Sequence, residues 1–536
     1  MNLLGTIFLL ILGVSALAED ASLKIAIVQE WENFNPVTYQ LAANESLNPL
    51  ISRNMASRDA QGLVIPDVAK KIPVLKNKKA TWNIKPAAKW ADGTDLTCAD
   101  WELGWKVGGD NNVSVSARNF YTKITKIEWK SDSPKKCEVT YATEDWSYDR
   151  DLPPFLPKHL EQKVFDLNKG TSEGYNKNTL FIKDPTNPGL YNGPYRISEF
   201  KLSSHIILVP NEHFMGTKPE IQKIIVKHIP DASSLKAQLA TGEVNMIDGV
   251  GFPPDTAIIF DEDFSKQNKP FKVRFVDSFL FQGMFLNLEK PILKDIQVRK
   301  ALSMAVNKQM ISESFFRGKL PPAEAILPRF HPLYKKENPI FSKSEAAKLL
   351  DKAGWKLNAK NIREKEGKTL SLVFKVSSGI KVLENIETFV CDQYKDIGVQ
   401  CIVKNEPPRV LLGDTVQKGD FDIAIFGQPV PTDTSLSSYF SSKEIPNEKN
   451  SWTGGNIIRA SLPELDNLLT KFDSAFSIKD RNKIAVKIKE LIQKEYLLIP
   501  LYYRTEAFVH PANLTGITES FGGTTFDKPE LWKLKK

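Results

Sequence analysis

Short apolar runs alternate with longer amphipathic segments along most of the chain, and this alternation predicts a mixed fold of strands and helices. The clearest example is a strand predicted at 371–375, followed by an amphipathic helix at 382–395 and a strand at 399–404. Another apolar strand is predicted at 422–426. The middle segment has the apolar period of a helix and the flanking runs are short, which is typical of a β-α-β unit. We therefore expect an α/β fold in which helices cover sheets.

Several polar residues stand where helices are expected to begin. Thr97 and Asp100 have the spacing of a capping box, in which the second side chain reaches back to the first residue of the pair. Asp231 and Asp295 each precede a segment with helical periodicity and are predicted N-caps. These residues therefore predict the first turns of their helices before any tertiary contact is considered.

The first eighteen residues differ from the rest of the chain. Residues 3–14 are almost wholly apolar, and Ala16 and Ala18 form the small-x-small pattern that precedes signal-peptide cleavage. No Lys or Arg precedes the apolar run, which departs from the usual pattern. No cysteine follows at the cleavage point, so a lipoprotein is not expected. We interpret residues 1–18 as a cleaved secretory signal peptide.

Four cysteines lie in the remainder of the chain, at Cys98, Cys137, Cys391 and Cys401. An even number in an exported protein favours disulfides, and the partners closest in sequence are the simplest pairs. This predicts Cys98–Cys137 and Cys391–Cys401, with free buried thiols as the alternative. No Cys-x-x-Cys pair occurs, so a structural zinc site is not indicated.

Composition and charge exclude several classes of protein. The chain has 536 residues, 72 basic and 64 acidic side chains and a formal charge of +8. That length corresponds to roughly three or four domain-sized units. The basic residues form no long tract, so a nucleic-acid partner is not expected.

Motifs of common enzymes are also absent from the sequence. It contains no nucleophile elbow, Walker loop, zinc-protease helix or dinucleotide fingerprint, and its six histidines are scattered. Asp261 and Glu262 stand in charged sequence that we interpret as a solvated loop. We expect no catalytic residues, no metal site and no cofactor, and hence a protein that is not an enzyme.

Several segments, taken in the order in which they occur along the chain, resemble the dipeptide- and oligopeptide-binding proteins of ABC importers. These are the family 5 solute-binding proteins. The matching segments are 90–100 (WADGTDLTCAD), 192–196 (NGPYR), 209–214 (VPNEHF), 240–245 (ATGEVN), 298–307 (VRKALSMAVN) and 346–355 (AAKLLDKAGW). No single segment is specific, and the resemblance rests on their order and spacing over nearly the whole mature chain.

The resemblance implies a two-lobed α/β architecture of the type II periplasmic-binding, or Venus flytrap, class with an extra inserted subdomain. Ligand bound between the lobes would stabilise their closure. Crossovers near residues 270 and 495 would act as hinges. The implied parts are a first lobe at 19–60, 190–270 and 495–536, an inserted subdomain at 61–189 and a second lobe at 271–494.

The resemblance also implies a function. The protein would be a periplasmic, monomeric solute-binding component that delivers peptides to an inner-membrane ABC permease and its ATPases. Peptides would bind largely through their main chains, as an added strand does. The same fold carries other solutes, so an oligosaccharide or a metal complex remains an alternative ligand, and a ligand sensor remains an alternative role.

Family peptide binders hold the ligand's α-amine with an aspartate shortly after an apolar strand, in a Trp-x-x-Asp-like stretch. Simple counting places Gln428 where that tryptophan stands and Pro431 where the aspartate stands. Asp433 lies two residues further on and is the candidate replacement. Glu45 resembles a second acidic contact, and Trp452 completes the candidate ligand-binding residues.

Other residues of the matching segments are expected to serve the fold. Gly93 and Gly193 are predicted to supply turn conformations. Arg299 is expected to form an ion pair within the fold rather than to contact ligand. Trp90 and Trp105 are predicted core residues.

Overall fold

The computed structural model describes residues 22–60, 62–115, 118–144, 146–150, 152–337, 340–430, 435–450, 452–518 and 526–535. The predicted signal peptide at 1–18 lies outside the described residues, and so do Pro431 and Asp433.

The strands of the described residues are β1 (Leu23–Ile27), β2 (Ala56–Arg58), β3 (Val64–Pro66), β4 (Lys79–Asn83), β5 (Ile124–Lys130), β6 (Ser133–Tyr141), β7 (Tyr195–Lys201), β8 (His205–Pro210), β9 (Ile224–His228), β10 (Met246–Ile247), β11 (Phe271–Leu286), β12 (Lys356–Leu357), β13 (Arg363–Lys365), β14 (Lys368–Thr369), β15 (Ser371–Val376), β16 (Gln400–Val403), β17 (Ile423–Pro429), β18 (Leu498–Pro511), β19 (Leu514–Thr515) and β20 (Lys533–Leu534). The helices are α1 (Ala42–Ile51), α2 (Cys98–Gly109), α3 (Asn119–Thr122), α4 (Lys158–Asn168), α5 (Gly174–Asn178), α6 (Leu180–Lys183), α7 (Ala232–Thr241), α8 (Pro254–Lys266), α9 (Pro291–Lys294), α10 (Ile296–Met304), α11 (Lys308–Phe316), α12 (Lys343–Lys352), α13 (Lys381–Asp396), α14 (Pro408–Val410), α15 (Val416–Lys418), α16 (Ser437–Phe440), α17 (Pro463–Ser474) and α18 (Ile478–Lys494). The predicted β-α-β unit is confirmed as β15, α13 and β16.

The largest sheet has ten strands in the order β16-β15-β17-β11-β18-β10-β1-β9-β8-β7. At one end β1 pairs in parallel with β9 and β10, and at the other end β15 pairs in parallel with β16 and β17. We call the part around β1 the first lobe and the part around β15 the second lobe. The long antiparallel strands β11 and β18 belong to both lobes.

The pairing of β11 with β18 is interrupted where the two strands pass between the lobes. Residues Phe271 to Asp277 pair with Pro511 to Thr505, and pairing resumes at Phe281 opposite Tyr503. Between these points one strand has extra residues, which is the arrangement of a β-bulge. A second register shift follows between Gln282 and Gly283. The lobes are therefore joined by two strands whose pairing is irregular between Asp277 and Gly283.

Each lobe is covered on both faces, as expected for parallel sheets. In β1, Leu23, Ile25 and Ile27 face a core formed with β7, β8, β9 and α1. The intervening Ala26 faces a second core, formed with α7 and α8. The second lobe likewise has one core around β15 and α13 and another around α17 and α18.

A separate core with its own small sheet lies within the inserted subdomain predicted at 61–189. Strands β4, β6 and β5 form this sheet, and α2 packs against it. The Cys98–Cys137 disulfide joins α2 to β6, with a Cα–Cα distance of 5.5 Å. In the second lobe, Cys391–Cys401 joins α13 to β16 at 5.8 Å. Both predicted pairs are confirmed.

The helix starts and structural residues expected from the sequence are largely confirmed. The Asp100 carboxylate accepts hydrogen bonds from the Thr97 backbone amide at 2.7 Å and the Thr97 hydroxyl at 2.8 Å. Asp295 accepts from the Gln297 amide at 2.8 Å. Trp90 is buried, whereas Trp105 is partly buried against the core.

Two structural interpretations made from the sequence are wrong. Asp261 and Glu262 lie on α8 rather than in a solvated loop, and Asp261 pairs with Lys319 at 2.7 Å. Gly193 does not have the positive φ that favours glycine, unlike Gly93. Instead, a Cβ at position 193 would lie 2.4 Å from the carbonyl carbon of Ile51. Close backbone packing therefore requires this glycine.

Candidate functional site

The carboxyl ends of the parallel strands bring loops of the two lobes together. In open α/β sheets, ligands bind in the crevice outside these strand ends. Residues that follow β10 in the first lobe and β15 in the second lobe line a common cavity of about 530 Å³. Side chains of β11 and β18 complete its lining. The cavity therefore lies between the lobes, beside the strands that join them.

The lining combines apolar surface with a few charged groups. It consists of Gly249, Gly251, Phe252, Pro253, Pro254, Asp255, Gln282, Phe316, Leu320, Gly379, Ile380, Lys381, Val382, Leu383, Tyr502, Arg504 and Glu506. Its volume lies within the roughly 300–1,000 Å³ typical of small-molecule sites, which have mostly apolar walls and a few polar groups.

Arg504 and Glu506 are the charged residues contributed to the cavity by β18. They are two residues apart and so point to the same face of the strand. Their side chains are 35% and 25% exposed, and Arg504 Nη2 lies 3.9 Å from Glu506 Oε1. Exposed Asp255 and Lys381 add a charge of each sign. The cavity therefore offers partners to both anionic and cationic groups.

Tyr502 lies beside this pair and is fully covered. It pairs with Gln282 across β11 and β18. Burial raises the pKa of the Tyr502 phenol above its ordinary value, against the opposing charge of Arg504. The phenol therefore stays neutral at physiological pH.

Contacts near the start of α1 hold the loops that follow β1 and β10. Buried Asp248 accepts hydrogen bonds from the Ser46 hydroxyl at 3.1 Å and the Val250 amide at 2.9 Å. Gln29 accepts from the Ala43 amide at 3.1 Å. Gly251 has a φ of +77°, and a Cβ there would lie 3.3 Å from the Gln29 nitrogen. This part of the cavity wall is therefore rigidly supported.

The three candidate residues that the structure describes, Glu45, Gln428 and Trp452, are not among the residues lining this cavity. Glu45 is exposed on α1, where its charge adds to burial in raising the pKa of Tyr39. Gln428 is buried in β17 opposite Phe281. Trp452 lies in a turn with a φ of +59°, and its amide donates to Asn447 at 2.8 Å. Asp433 lies outside the described residues.

Sequence reasoning did not select Arg504, Glu506 or Gln282. One signal was available: Arg504 and Glu506 are charged residues in the middle of an otherwise largely apolar strand, at alternate positions. A central strand rarely carries charges without a reason, because unpaired buried charge is costly. That signal identifies two unusual residues but does not reveal the loops that face them.

Contacts away from the cavity also join the lobes. The Arg481 guanidinium at the start of α18 lies 3.2 Å from the ring centre of Trp146, in the inserted subdomain. Tyr148 stacks on Phe476 with centroids 6.3 Å apart and planes inclined by 8°. The part of the chain that contains Trp146 and Tyr148 is therefore in contact with the second lobe.

Arg299 serves the fold, as expected. Its guanidinium donates to the Leu293 and Lys294 carbonyls, both at 2.9 Å, and to the Glu495 carbonyl at 2.6 Å. Its closest approach to the Glu495 carboxylate is 3.8 Å. Within the described part of the chain, no group of three or more His, Cys, Asp or Glu side chains could hold a metal ion. No helix there is both long and apolar enough to cross a membrane.

Known proteins are similar to this chain in sequence. Residues 64–447 match the family model for bacterial extracellular solute-binding proteins, family 5. The oligopeptide-binding protein AppA of Bacillus subtilis (strain 168) is 26% identical over 454 residues, which cover 81% of this chain and 77% of AppA.

Solved structures have the same fold. AppA from Bacillus subtilis in complex with a nonapeptide has a TM-score of 0.70 at 23% identity, covering 96% of this chain and 99% of that one. NikA from Brucella suis in complex with Fe(III)-EDTA has a TM-score of 0.77 at 19% identity, covering 96% and 100%. The two-lobed α/β architecture is thus shared with proteins crystallised with different ligands. With the family model matched over most of its length, this chain belongs to the bacterial extracellular solute-binding proteins, family 5.

Proposed function

We propose that this chain is the solute-binding component of an ABC importer and that its solute is a short peptide. The observation that carries the proposal is the cavity between the lobes, with loops of both lobes at its walls and opposite charges in its lining. A ligand that contacts both walls interacts more strongly with the closed state than with the open one. It therefore shifts the equilibrium towards closure.

The peptide assignment is supported by the curated relatives and by the chemistry of the lining. AppA is named an oligopeptide-binding protein, and its solved structure contains a nonapeptide. A peptide carries both charges and an amphipathic chain, which suits a cavity containing Arg504, Glu506 and apolar side chains. Among the described residues, the lining includes no histidine or cysteine, which disfavours direct coordination of a soft transition-metal ion.

A metal complex is the second candidate ligand because NikA, which has this fold, was crystallised with Fe(III)-EDTA. An intact chelate needs charged contacts rather than protein ligands to the metal. An oligosaccharide ligand and a sensing role without import are further alternatives from the sequence. The lining residues that the structure describes also include no serine, histidine or cysteine, so they offer no common nucleophile–base pair and we propose no catalytic activity.

We propose that the hinge lies at the irregular pairing of β11 and β18, around residues 277–281 and 503–505. These positions are a few residues inside the crossovers expected near 270 and 495. A bulge removes regular ladder hydrogen bonds, so backbone angles can change there at lower cost than elsewhere in the sheet. The two lobes would rotate about this hinge. The first lobe is defined by 19–60, 190–270 and 495–536, and the second by 271–494.

We further propose that residues 1–18 are removed on export and that the mature protein is a periplasmic monomer which docks on a permease with its ATPases. N-terminal sequencing of the exported protein is expected to begin at Glu19. Retention of Met1 would contradict cleavage. Sedimentation analysis would test the monomer.

The ligand is tested by native mass spectrometry of protein purified from its own host, followed by calorimetry. We expect co-purified peptides, and binding of a mixed tripeptide library to the emptied protein. Nickel–histidine complexes and an oligosaccharide mixture serve as controls. Binding of a control with no binding of peptides would overturn the peptide assignment. Peptide uptake into vesicles containing the cognate permease would separate import from sensing.

A further inference from the structure

Arg504 differs from two buried arginines of the second lobe, Arg363 and Arg459. Arg363 donates to the Ile397 carbonyl at 2.7 Å and the Trp355 carbonyl at 2.6 Å. Arg459 donates to the Pro446 carbonyl at 2.8 Å and the Gln417 carbonyl at 2.6 Å. The donors of these two guanidinium groups therefore form hydrogen bonds within the fold. A buried cation needs such acceptors for its several N–H donors.

Among the described residues, Arg504 donates no such hydrogen bond, and its one ion-pair contact is the 3.9 Å approach to Glu506. This distance is too long for a hydrogen bond, so its donors remain available. At 35% exposure, the side chain is nevertheless largely withdrawn from bulk water. A half-buried guanidinium with free donors, directed into a cavity, is suited to an anionic partner.

The surroundings leave space on one side of the guanidinium. Nη2 is the nitrogen nearest to Glu506. A Cβ at Gly427 would lie 3.6 Å from Nη1 and 3.2 Å from Gln282 Oε1. Because residue 427 is glycine, β17 places no side chain beside Nη1 at this point. A carboxylate approaching there stays on the far side of the guanidinium from Glu506, which limits repulsion.

The position of Arg504 also couples it to lobe movement. It lies opposite the irregular pairing between Asp277 and Phe281, at the point where β18 passes from one lobe to the other. The cavity walls above it come from the first lobe at 249–255 and from the second lobe at 379–383. A charge held at this point contacts the ligand in the closed state, when water is most fully excluded.

We propose that Arg504 binds a carboxylate of the ligand in the cavity between the lobes. The inference rests on the proposed function and makes it more specific: the ligand must present a carboxylate group, which a peptide supplies at its C-terminus or on an acidic side chain. Guanidinium–carboxylate pairs are strong and directional because two parallel N–H donors match the two oxygens.

The test is calorimetry with tripeptide libraries made in matched forms. The first contains free acids without Asp or Glu, the second contains the corresponding C-terminal amides, and the third contains amides with one Asp. For the wild-type protein we expect the first library to bind at least tenfold more tightly than the second. Recovery of affinity with the third library instead would identify an acidic side chain as the group that is bound.

Variants identify the residue responsible. Arg504→Gln is expected to abolish the preference for the carboxylate, and Arg504→Lys to retain only part of it, since lysine cannot form the paired contact. Arg274→Gln is the matched control: Arg274 is a partly exposed arginine on β11 outside the cavity lining. It is expected to leave the preference unchanged. Because the preference is a ratio of two affinities, general destabilisation does not alter it.

The possible failures are distinguishable. If the wild-type protein binds all three libraries equally, Arg504 does not bind a carboxylate, although the protein remains a peptide binder. Persistence of the preference in Arg504→Gln would assign it to another residue. If no library binds at all, the proposed peptide-binding function is overturned, and so is the proposal for Arg504.

Discussion

The guanidinium of Arg481 lies between two aromatic rings that belong to different parts of the chain. Its central carbon is 3.2 Å from the ring centre of Trp146 and 3.9 Å from that of Phe472. Phe472 belongs to the same core as α18, whereas Trp146 comes from the inserted subdomain. The contact with Trp146 therefore joins these two parts of the chain, and we expect it to form only in the closed state.

We expect Trp146→Ala to favour the open state. Desolvated cation–π contacts contribute about 2 kcal/mol or more and exposed ones about 0.5–1 kcal/mol. A loss within this range, confined to the closed form, would weaken ligand binding by roughly threefold to thirtyfold. Small-angle scattering should show a larger radius of gyration at sub-saturating ligand. Trp129→Ala is the control, since Trp129 contacts Lys158 within the inserted subdomain. Equal effects of both substitutions would contradict a role in closure.

The two disulfides should contribute unequally to stability. Cys98–Cys137 closes a separation of 39 residues and Cys391–Cys401 one of 10 residues. The chain-entropy model gives roughly 4 kcal/mol for the first and roughly 3 kcal/mol for the second. We expect the paired serine variant at 98 and 137 to lower the free energy of unfolding more. Thiol labelling of the denatured, unreduced protein should find no free cysteine, and four labelled cysteines would refute both bonds.

Buried Glu387 should make stability fall as pH rises from about 4.5 towards neutrality. Burial raises the pKa of its carboxyl to about 7, with the Asn405 hydrogen bond opposing the shift and Glu384 adding to it. The unfolded chain ionises near pH 4.5, whereas the folded protein keeps the proton until about pH 7. The stabilisation is therefore complete below pH 4.5 and is lost between these values, by about 3 kcal/mol.

Glu387→Gln tests this pH dependence. The uncharged amide retains the shape of the protonated acid, so we expect a flatter stability profile and a more stable protein at pH 8. Urea unfolding between pH 4.5 and 8 measures the effect. Glu345→Gln is the control, because Glu345 is exposed on α12, and it should change neither the slope nor the midpoint appreciably. A profile identical to the wild type in Glu387→Gln would mean that another group titrates.

Gly193→Ala should be destabilising because of packing rather than backbone conformation. The new Cβ would lie 2.4 Å from the Ile51 carbonyl carbon and 2.5 Å from the Ser52 nitrogen, both backbone atoms. Relieving the overlap requires β7 and α1 to separate, and overpacking of this kind costs about 1–3 kcal/mol. Gly170→Ala is the control, with no atom within 4 Å of its new Cβ. Chemical denaturation that shows equal stabilities would contradict the close approach.

Asp433 is our predicted partner for the ligand's α-amine. A tripeptide with a free amine should bind at least about tenfold more weakly, or 1.4 kcal/mol, to Asp433→Asn than to the wild type. Acetylating the peptide should cause a similar loss in the wild type and no further loss in the variant, because one ion pair is removed in both cases. Glu45→Gln tests the alternative partner. Equal binding of both peptides by the wild type would show that the amine is not bound.

Local chemistry in the sequence was enough to determine many individual elements. Thr97 and Asp100 form their reciprocal contact within one helical turn, and Cys391 and Cys401 belong to adjacent elements of one β-α-β unit. Such features depend on residues close in sequence, whose geometry follows from the helix or strand itself. The ordered motifs also led to the correct family and two-lobed architecture.

Only the tertiary structure decided which residues meet in the cavity. Arg504 lies on a strand shared by the lobes, and the loops at 249–255 and 379–383 that face it are distant in sequence. Their meeting depends on the packing of whole lobes, which no local pattern encodes. Two other roles were missed for the same reason. Glycine is required at position 193 because Ile51 packs against it. Asp261 forms an ion pair because Lys319, from the second lobe, lies beside it.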